Sequence, residues 1–311
     1  MTAFPMRHTN PTAARRRLRE LAAAPEVAVF PGPFDATSAI VIARAGFEGL
    51  WAGGYVGSAT LLGAGDLALT TMVEQLRFAS SLVEATGLPV IADIDDGYGG
   101  ILQVARTVQA FERAGVAAMV VEDQAAPKHC AFYAEFPLRL IDKEDMVAKI
   151  KTALDVRLDE STMIWARSDS LAAGMGIDET LDRIHAYAEA GADAIFVPST
   201  KLEDLEAYAK RWDKSKPLVI SATAFVDYLD NERVKEMGFA IRTDAFAALL
   251  AALQAVEDVM VDYRKTGSLK NASKRSKTFK QFEELLDTGL AAEMDVRYTK
   301  EAVKEKVPSS R

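Results

Sequence analysis

"LPVIADIDDGYGGILQVARTVQAFERAGVAAMVVE", residues 88–122, reads as one strand–helix–strand unit. Its ends, "LPVIAD" (88–93) and "AAMVVE" (117–122), are short apolar runs that stop on an acid, as expected of strands buried on both faces. Between them "ILQVARTVQAFERAG" spaces its apolar residues at helical intervals and closes on Ala114-Gly115, a stop that caps a helix before the next strand. Two buried strands joined by a helix predict a parallel pair.

The same rhythm runs outward in both directions. Further strands are expected at "VAVFP" (27–31), "GLWAG" (49–53), "TMIWAR" (162–167), "ADAIFVPS" (192–199), "PLVISAT" (217–223) and "FAIR" (239–242). Helix-length segments such as "MVEQLRFASSLVEATG" and "IDETLDRIHAYAEAGA" lie between them. Eight such units in about 250 residues predict an α/β fold, a (β/α)8 TIM barrel with extra C-terminal helices. A doubly wound open sheet competes, but no G-x-G-x-x-G follows the first strand. The expected division is residues 1–265 as the catalytic barrel and 266–311 as a helical extension that packs on the barrel or a neighbouring subunit.

Bulk properties limit the partners. The 311 residues are 49% hydrophobic and 26% charged, enough to bury a large core. A formal charge of −8 argues against nucleic acid or an anionic membrane, leaving a small ligand. The single cysteine excludes an internal disulfide framework and a cysteine-based zinc cluster. With no apolar signal segment and no run of about 18 apolar residues, a cytoplasmic protein is expected.

In a barrel the chemistry sits where the strands end. Those ends carry Asp35, Trp51, Asp93 with Asp95, Glu122, Arg167, Ser199 and Thr223. Carboxylates from several strands repel unless protonated or metal-bound, and Mg²⁺, with Mn²⁺ as an alternative, suits an all-oxygen set. An arginine among them can grip a substrate carboxylate with two parallel hydrogen bonds.

These motifs together resemble the isocitrate lyase/phosphoenolpyruvate mutase superfamily, from about residue 20 to 265. "PFDATSAIVIARAGFEGLWAGG" resembles its first two βα units, and "GAGDLALTTMVEQ" its stretch with a metal-site aspartate, here Asp66. "PVIADIDDGYGG" is similar to its D-x-D-x-G-Y-G loop, "VVEDQAAPKHC" to its gate loop and "ARSDS" to its arginine segment. The resemblance implies Asp66, Asp93, Asp95 and Glu122 in a Mg²⁺ sphere, direct or through water. It also implies Trp51, Gly53 and Gly54 around the oxo-acid end of the ligand, with Arg167 as its clamp. Cys130 matches the cysteine that protonates an enolate in the carbon–carbon lyase branch, and Lys128 lies beside it.

The implied function is a Mg²⁺-dependent carbon–carbon lyase, of 2-methylisocitrate lyase-like type, acting on a 2-hydroxy or 2-oxo acid through a pyruvate-enolate-type intermediate. Alternatives on this scaffold are a phosphonopyruvate hydrolase or mutase, an oxaloacetate-type decarboxylase, and a binding protein that has lost turnover. A homo-oligomer, dimer or tetramer, is expected. Ala131-Phe132 replaces the Gly-His of the lyase loop, the sixth strand ends "FVPST", and the seventh reads "ISATAF", so the specificity half departs from the pattern. Ser199 and Thr223 supply hydroxyls at these two strand ends. Each candidate has a plainer reading: Arg167 as a structural ion pair, Cys130 as a small buried apolar residue, Tyr55 as core instead of a base near the substrate.

Overall fold

The computed structural model describes residues 9–133, 135–225 and 229–299. The chain divides into a large unit, Thr9–Leu249, and a second that begins at Leu250.

The large unit contains β1 (Ala28–Pro31), β2 (Leu50–Ala52), β3 (Val90–Asp93), β4 (Ala118–Glu122), β5 (Met163–Arg167), β6 (Ala194–Phe196), β7 (Leu218–Ser221) and β8 (Ile241–Asp244). They form one sheet in the order β1-β8-β7-β6-β5-β4-β3-β2, every adjacent pair parallel. This is a nearly closed (β/α)8 barrel, and each strand overlaps the run expected from sequence. The last begins two residues beyond its expected start, because Phe239 joins the outer core and stands edge-on to Tyr208 at 5.9 Å.

Helices α1 (Pro11–Ala22), α2 (Ala36–Arg44), α3 (Gly54–Leu62), α4 (Met72–Thr86), α5 (Ile101–Arg113), α6 (Lys143–Val156), α7 (Gly176–Glu189), α8 (Leu202–Arg211) and α9 (Asn231–Glu236) belong to this unit. α4 starts with a capping box: Thr71 Oγ1 accepts from Glu74 N, and Glu74 reaches back to Thr71 N at 2.7 Å. α10 (Ala247–Thr266) leads into the second unit, which also holds α11 (Phe279–Leu285) and α12 (Thr288–Tyr298). Among the described residues no helix is long and apolar enough to cross a membrane.

Strand alternation sorts the core. Phe30, Trp51, Ile91, Val120, Trp165 and Phe196 fill the barrel interior, while their neighbours Leu50, Val90, Met119, Ile164 and Ile195 pack outward beneath the helices. Continuing the inward row toward the strand ends replaces apolar groups by Asp93, Glu122, Arg167, Ser221 and Thr243. The same period that builds the core therefore carries polar side chains to the mouth.

At the opposite end α1 fastens the base. Arg15 donates to Glu112 O at 2.6 Å and pairs with Asp159 at 3.1 Å, while Arg19 reaches Ser161 O and Asp193, each at 3.0 Å. Buried Glu112 accepts from the backbone of Leu158 and Asp159 and from Thr162 Oγ1. These bonds hold the loop before β5.

Candidate active site

Beyond β3 the backbone turns back on itself with φ of +51° at Asp95, +84° at Gly97 and +61° at Tyr98. Aspartate tolerates this left-handed region better than most residues, and Gly97 enters it without strain. Asp93 Oδ1 accepts from Asp95 N at 3.2 Å, and Asp95 O accepts from Glu122 N at 2.9 Å. The turn thus brings two carboxylates of one strand end beside the acid that closes β4.

The acids meet cations of the chain. Lys128 Nζ lies 2.5 Å from Asp66 Oδ1 and 2.6 Å from Asp95 Oδ1. Burial works to lower the Lys128 pKa, but Asp95, Glu122, Asp66 and Asp93 outweigh it and hold it well above the ordinary value. Burial pushes Asp95 up to about 7, against the opposing pull of Lys128 and with repulsion from Asp93 and Asp66 added. Glu122 is raised well above its ordinary value, first by burial, although Arg167 lies 3.1 Å away.

Arg167 is held by a planar grip: Nε donates to Asp169 Oδ1 at 2.9 Å and one terminal nitrogen to Asp169 Oδ2 at 3.1 Å. Its other terminal nitrogen faces Glu122 and, at 3.7 Å, Asp93. The expected structural pairing of Arg167 is thus present, and the guanidinium also faces the cavity. Asp169 accepts from Gln124 Nε2 at 2.5 Å, and its backbone N–H is taken by buried Asp123 at 2.9 Å.

The loop after β4 returns to the barrel where Gln124 bridges Leu140, with Ala125 N donating to Arg139 O at 2.7 Å and Ile141 N to Asp123 O at 2.9 Å on either side. Cys130 is buried with 7% of its surface exposed, and its backbone N donates to Asp66 O at 3.1 Å. Burial pushes the thiol up to about 11, so it is protonated near neutral pH. Tyr55 is shifted upward, chiefly by its hydrogen bond with Tyr133, then by burial, which makes it a poor base. It packs edge-on against Tyr133 and Phe246.

One cavity gathers most of the expected residues: Trp51, Gly53, Gly54 and Tyr55, the acids Asp66 and Asp93, then Cys130, Arg167 and Thr223. Asp95, Glu122 and Lys128 stand behind it in the ionic cluster. Ser199 does not line it. Strand parity points Phe196 and Pro198 inward, and Ser199 Oγ instead accepts from Lys201 N at 3.0 Å. Asp35, another strand-end acid, caps α2. Sequence reasoning passed over Asp169, Phe196, Ala245 and Phe246, and met Phe132 only as a departure in the loop motif, not as part of a wall. An acid two places beyond an inward arginine was the available signal for Asp169.

The donor set suits a hard divalent cation. Glu122 Oε1 and Oε2 and Asp95 Oδ1 are buried with no hydrogen-bond partner of good geometry, although Arg167 and Lys128 stand close by. A Cβ placed on Gly54 would come 3.1 Å from Asp95 Oδ1 and 3.5 Å from Asp93 Oδ2, so glycine leaves space open in front of these acids. Among the described residues no three acids, histidines or cysteines converge into a ready-made metal cage. Mg²⁺ does not require one, since it commonly takes one or two carboxylates and fills its octahedron with water and substrate.

Comparison with known proteins agrees with this geometry. A family model described as phosphoenolpyruvate phosphomutase matches residues 18–263. The chain is 36% identical over 286 residues to a 2,3-dimethylmalate lyase of Eubacterium barkeri, covering 91% of this chain and 97% of that protein. An oxaloacetate decarboxylase of Pseudomonas putida is 38% identical over 247 residues, covering 79% and 83%. A solved phosphonopyruvate hydrolase in complex with oxalate and Mg²⁺ superposes with a TM-score of 0.85 at 27% identity, over 92% of this chain and 99% of that one.

Proposed function

Because the chain belongs to the isocitrate lyase/phosphoenolpyruvate mutase superfamily, we propose that it is a lyase that breaks a carbon–carbon bond in a small 2-oxo or 2-hydroxy acid through an enolate-type intermediate. One observation carries this reading: a buried thiol and a guanidinium held by Asp169 line the same cavity as Asp66 and Asp93.

In this reading Arg167 binds the substrate carboxylate, held flat by Asp169. Trp51, Gly53 and Gly54 form the adjoining wall and let the ligand approach the backbone closely. Asp93 and Asp95 would hold Mg²⁺, with Asp66 and Glu122 direct or through water, and the ion would supply Lewis acidity where negative charge develops. Lys128 balances the acids, and Cys130 delivers a proton to carbon once the bond has broken. The closed loop keeps water from that carbon.

A second reading, decarboxylation, has its own support. The outer wall is Phe132, Phe196, Pro198, Ala245 and Phe246, and among the described lining residues Arg167 is the only cation. A carboxylate facing such a wall loses its hydration and gains by leaving as neutral CO₂. A phosphonyl group, more highly charged, suits this wall least.

Product analysis decides between them. The protein is incubated with Mg²⁺ and a panel of branched malates, oxaloacetate and phosphonopyruvate, with EDTA controls. EDTA-sensitive release of an oxo acid plus a second carboxylic acid supports the lyase. CO₂ release from oxaloacetate alone supports the second reading, and no turnover anywhere overturns both.

The exposed apolar side chains Leu250, Leu253, Val256 and Met260 on α10, with Phe279 and Phe282 on α11, support a homo-oligomer assembled through these two helices; of the expected extension 266–311, residues 300–311 lie outside the described residues. Sedimentation analysis measures its size. The single buried thiol suits a reducing cytoplasm.

A further inference from the structure

Gln124 makes three hydrogen bonds that no role assigned so far requires. Its Nε2 donates to Asp169 Oδ2 at 2.5 Å and to His129 O at 2.8 Å, while its Oε1 accepts from His129 N at 3.0 Å. Reversing the amide would set an oxygen against both a carboxylate and a carbonyl, so the orientation is unique. Gln124 is almost wholly buried, with 1% of its surface exposed. Asp169, at the far end of the bond, holds both edges of the Arg167 guanidinium. His129, at the near end, lies between Lys128 and Cys130. A continuous chain of hydrogen bonds therefore runs from the backbone of the gate loop, through one side chain, to the group that fixes the arginine.

We propose that Gln124 is a positioning residue that couples closure of the gate loop to the alignment of Arg167. The proposal rests on the reading of Arg167 as the substrate clamp. When the loop lifts, His129 leaves the Gln124 amide, and the amide no longer fixes Asp169. The guanidinium then loses the plane that a carboxylate needs. In the other direction, a carboxylate on Arg167 favours the arrangement in which Asp169 and Gln124 hold the loop down. The coupling is reciprocal, as any binding linkage must be.

Cys130, the one thiol of the chain, supplies the readout, because it is 7% exposed with the loop in this arrangement and lifting the loop should uncover it. Alkylation by iodoacetamide at fixed pH is followed by mass spectrometry for the native protein, Gln124→Met and Asp169→Asn, each without ligand and with Mg²⁺ plus oxalate. Gln124→Met keeps the length of the side chain and removes all three bonds. It should raise the ligand-free labelling rate about tenfold and weaken oxalate binding about tenfold, within the usual span of a coupling between sites. Asp169→Asn should also speed labelling, although Asp169 reaches the loop through Gln124. A merely local loop anchor would raise labelling alike with and without ligand, whereas coupling predicts that Mg²⁺ plus oxalate protects Cys130 by a smaller factor in both variants than in the native protein.

Native labelling in both variants overturns the proposal, as does faster labelling in Gln124→Met with unchanged labelling in Asp169→Asn. If the native protein binds no oxalate, the clamp reading fails, and the ligand-free labelling of the two variants still decides whether loop and arginine are linked. Should Gln124→Met not fold, Asp169→Asn decides the matter by the same measurement: faster labelling supports the link, and native labelling overturns it.

Discussion

Lys128 places its ammonium 2.5 Å from Asp66 Oδ1, so the loop after β4 is tied by a buried ion pair to the segment between α3 and α4. The same ammonium faces Asp95. It is a charge of the chain standing where the acids would otherwise repel one another.

Removing it should have two opposed effects. Lys128→Met leaves the acids uncompensated and should destabilise the metal-free protein by about 3–5 kcal/mol, the usual cost of breaking a buried pair. The same surplus of negative charge should tighten Mg²⁺ binding. Urea titration with and without Mg²⁺ reads both, and a variant as stable as the native protein without metal would show that the pair contributes nothing net.

For Arg167 the expected variant is Arg167→Lys. An ammonium cannot reproduce the planar contact with Asp169 while also gripping a carboxylate. Calorimetry should show oxalate or pyruvate affinity reduced by about tenfold or more, since charge-assisted bidentate bonds carry about 1.5–3 kcal/mol each. Unaltered affinity would make Arg167 a purely structural partner of Asp169.

Cys130→Ser keeps the shape and replaces the proton donor by a far weaker one. Loss of a positioned acid should lower kcat about 10²–10⁴-fold while oxalate still binds. Single-turnover product formation with deuterium incorporation from solvent measures it. Native rate and labelling would remove Cys130 from the proton transfer.

Acid should loosen the base of the barrel. Burial opposes the charge on Asp159, but hydrogen bonds from Ser161, Thr12 and Arg15 outweigh it and lower the carboxyl to about 2 from its ordinary 3.8. A depressed folded pKa gives stability that is fully present above the unfolded value and disappears as pH falls through the folded one. Between pH 7 and pH 2 the melting temperature of Asp159→Asn should therefore fall less than that of the native protein. Parallel losses across that range would show that this carboxylate is not a source of the acid sensitivity.

The eight strands were legible because buried apolar runs alternate with helical spacing, a local signal. Asp93, Glu122 and Arg167 were legible for the same reason, since each ends a strand in inward register. Ser199 failed on parity: counting from Phe196 by twos reaches Pro198, so the serine turns away. Asp169, Gln124 and the Phe132–Phe246 wall depend on contacts between residues far apart in the chain, such as Gln124 with Asp169, 45 positions on. Local pattern marked Asp169 only by its place two residues beyond an inward arginine, and Gln124 and Phe132 only as members of a loop motif; none of these cues tells which side chain each one meets. The Tyr55 phenol likewise owes its shift first to Tyr133, a residue of the loop after β4.

The fastening of the base by Arg15 and Arg19 has a consequence for how this protein can change. Durability is anchored by α1 at one pole of the barrel, whereas Phe132 and Phe246 stand at the other, on loops that, among the described residues, share no hydrogen bond with Arg15 or Arg19. Resilience and taste are thus separable traits. Phe132, which belongs to neither apolar core, is therefore the position of the wall where replacements can reshape the cavity with the least loss of packing, whereas Phe196 and Phe246 also serve the core.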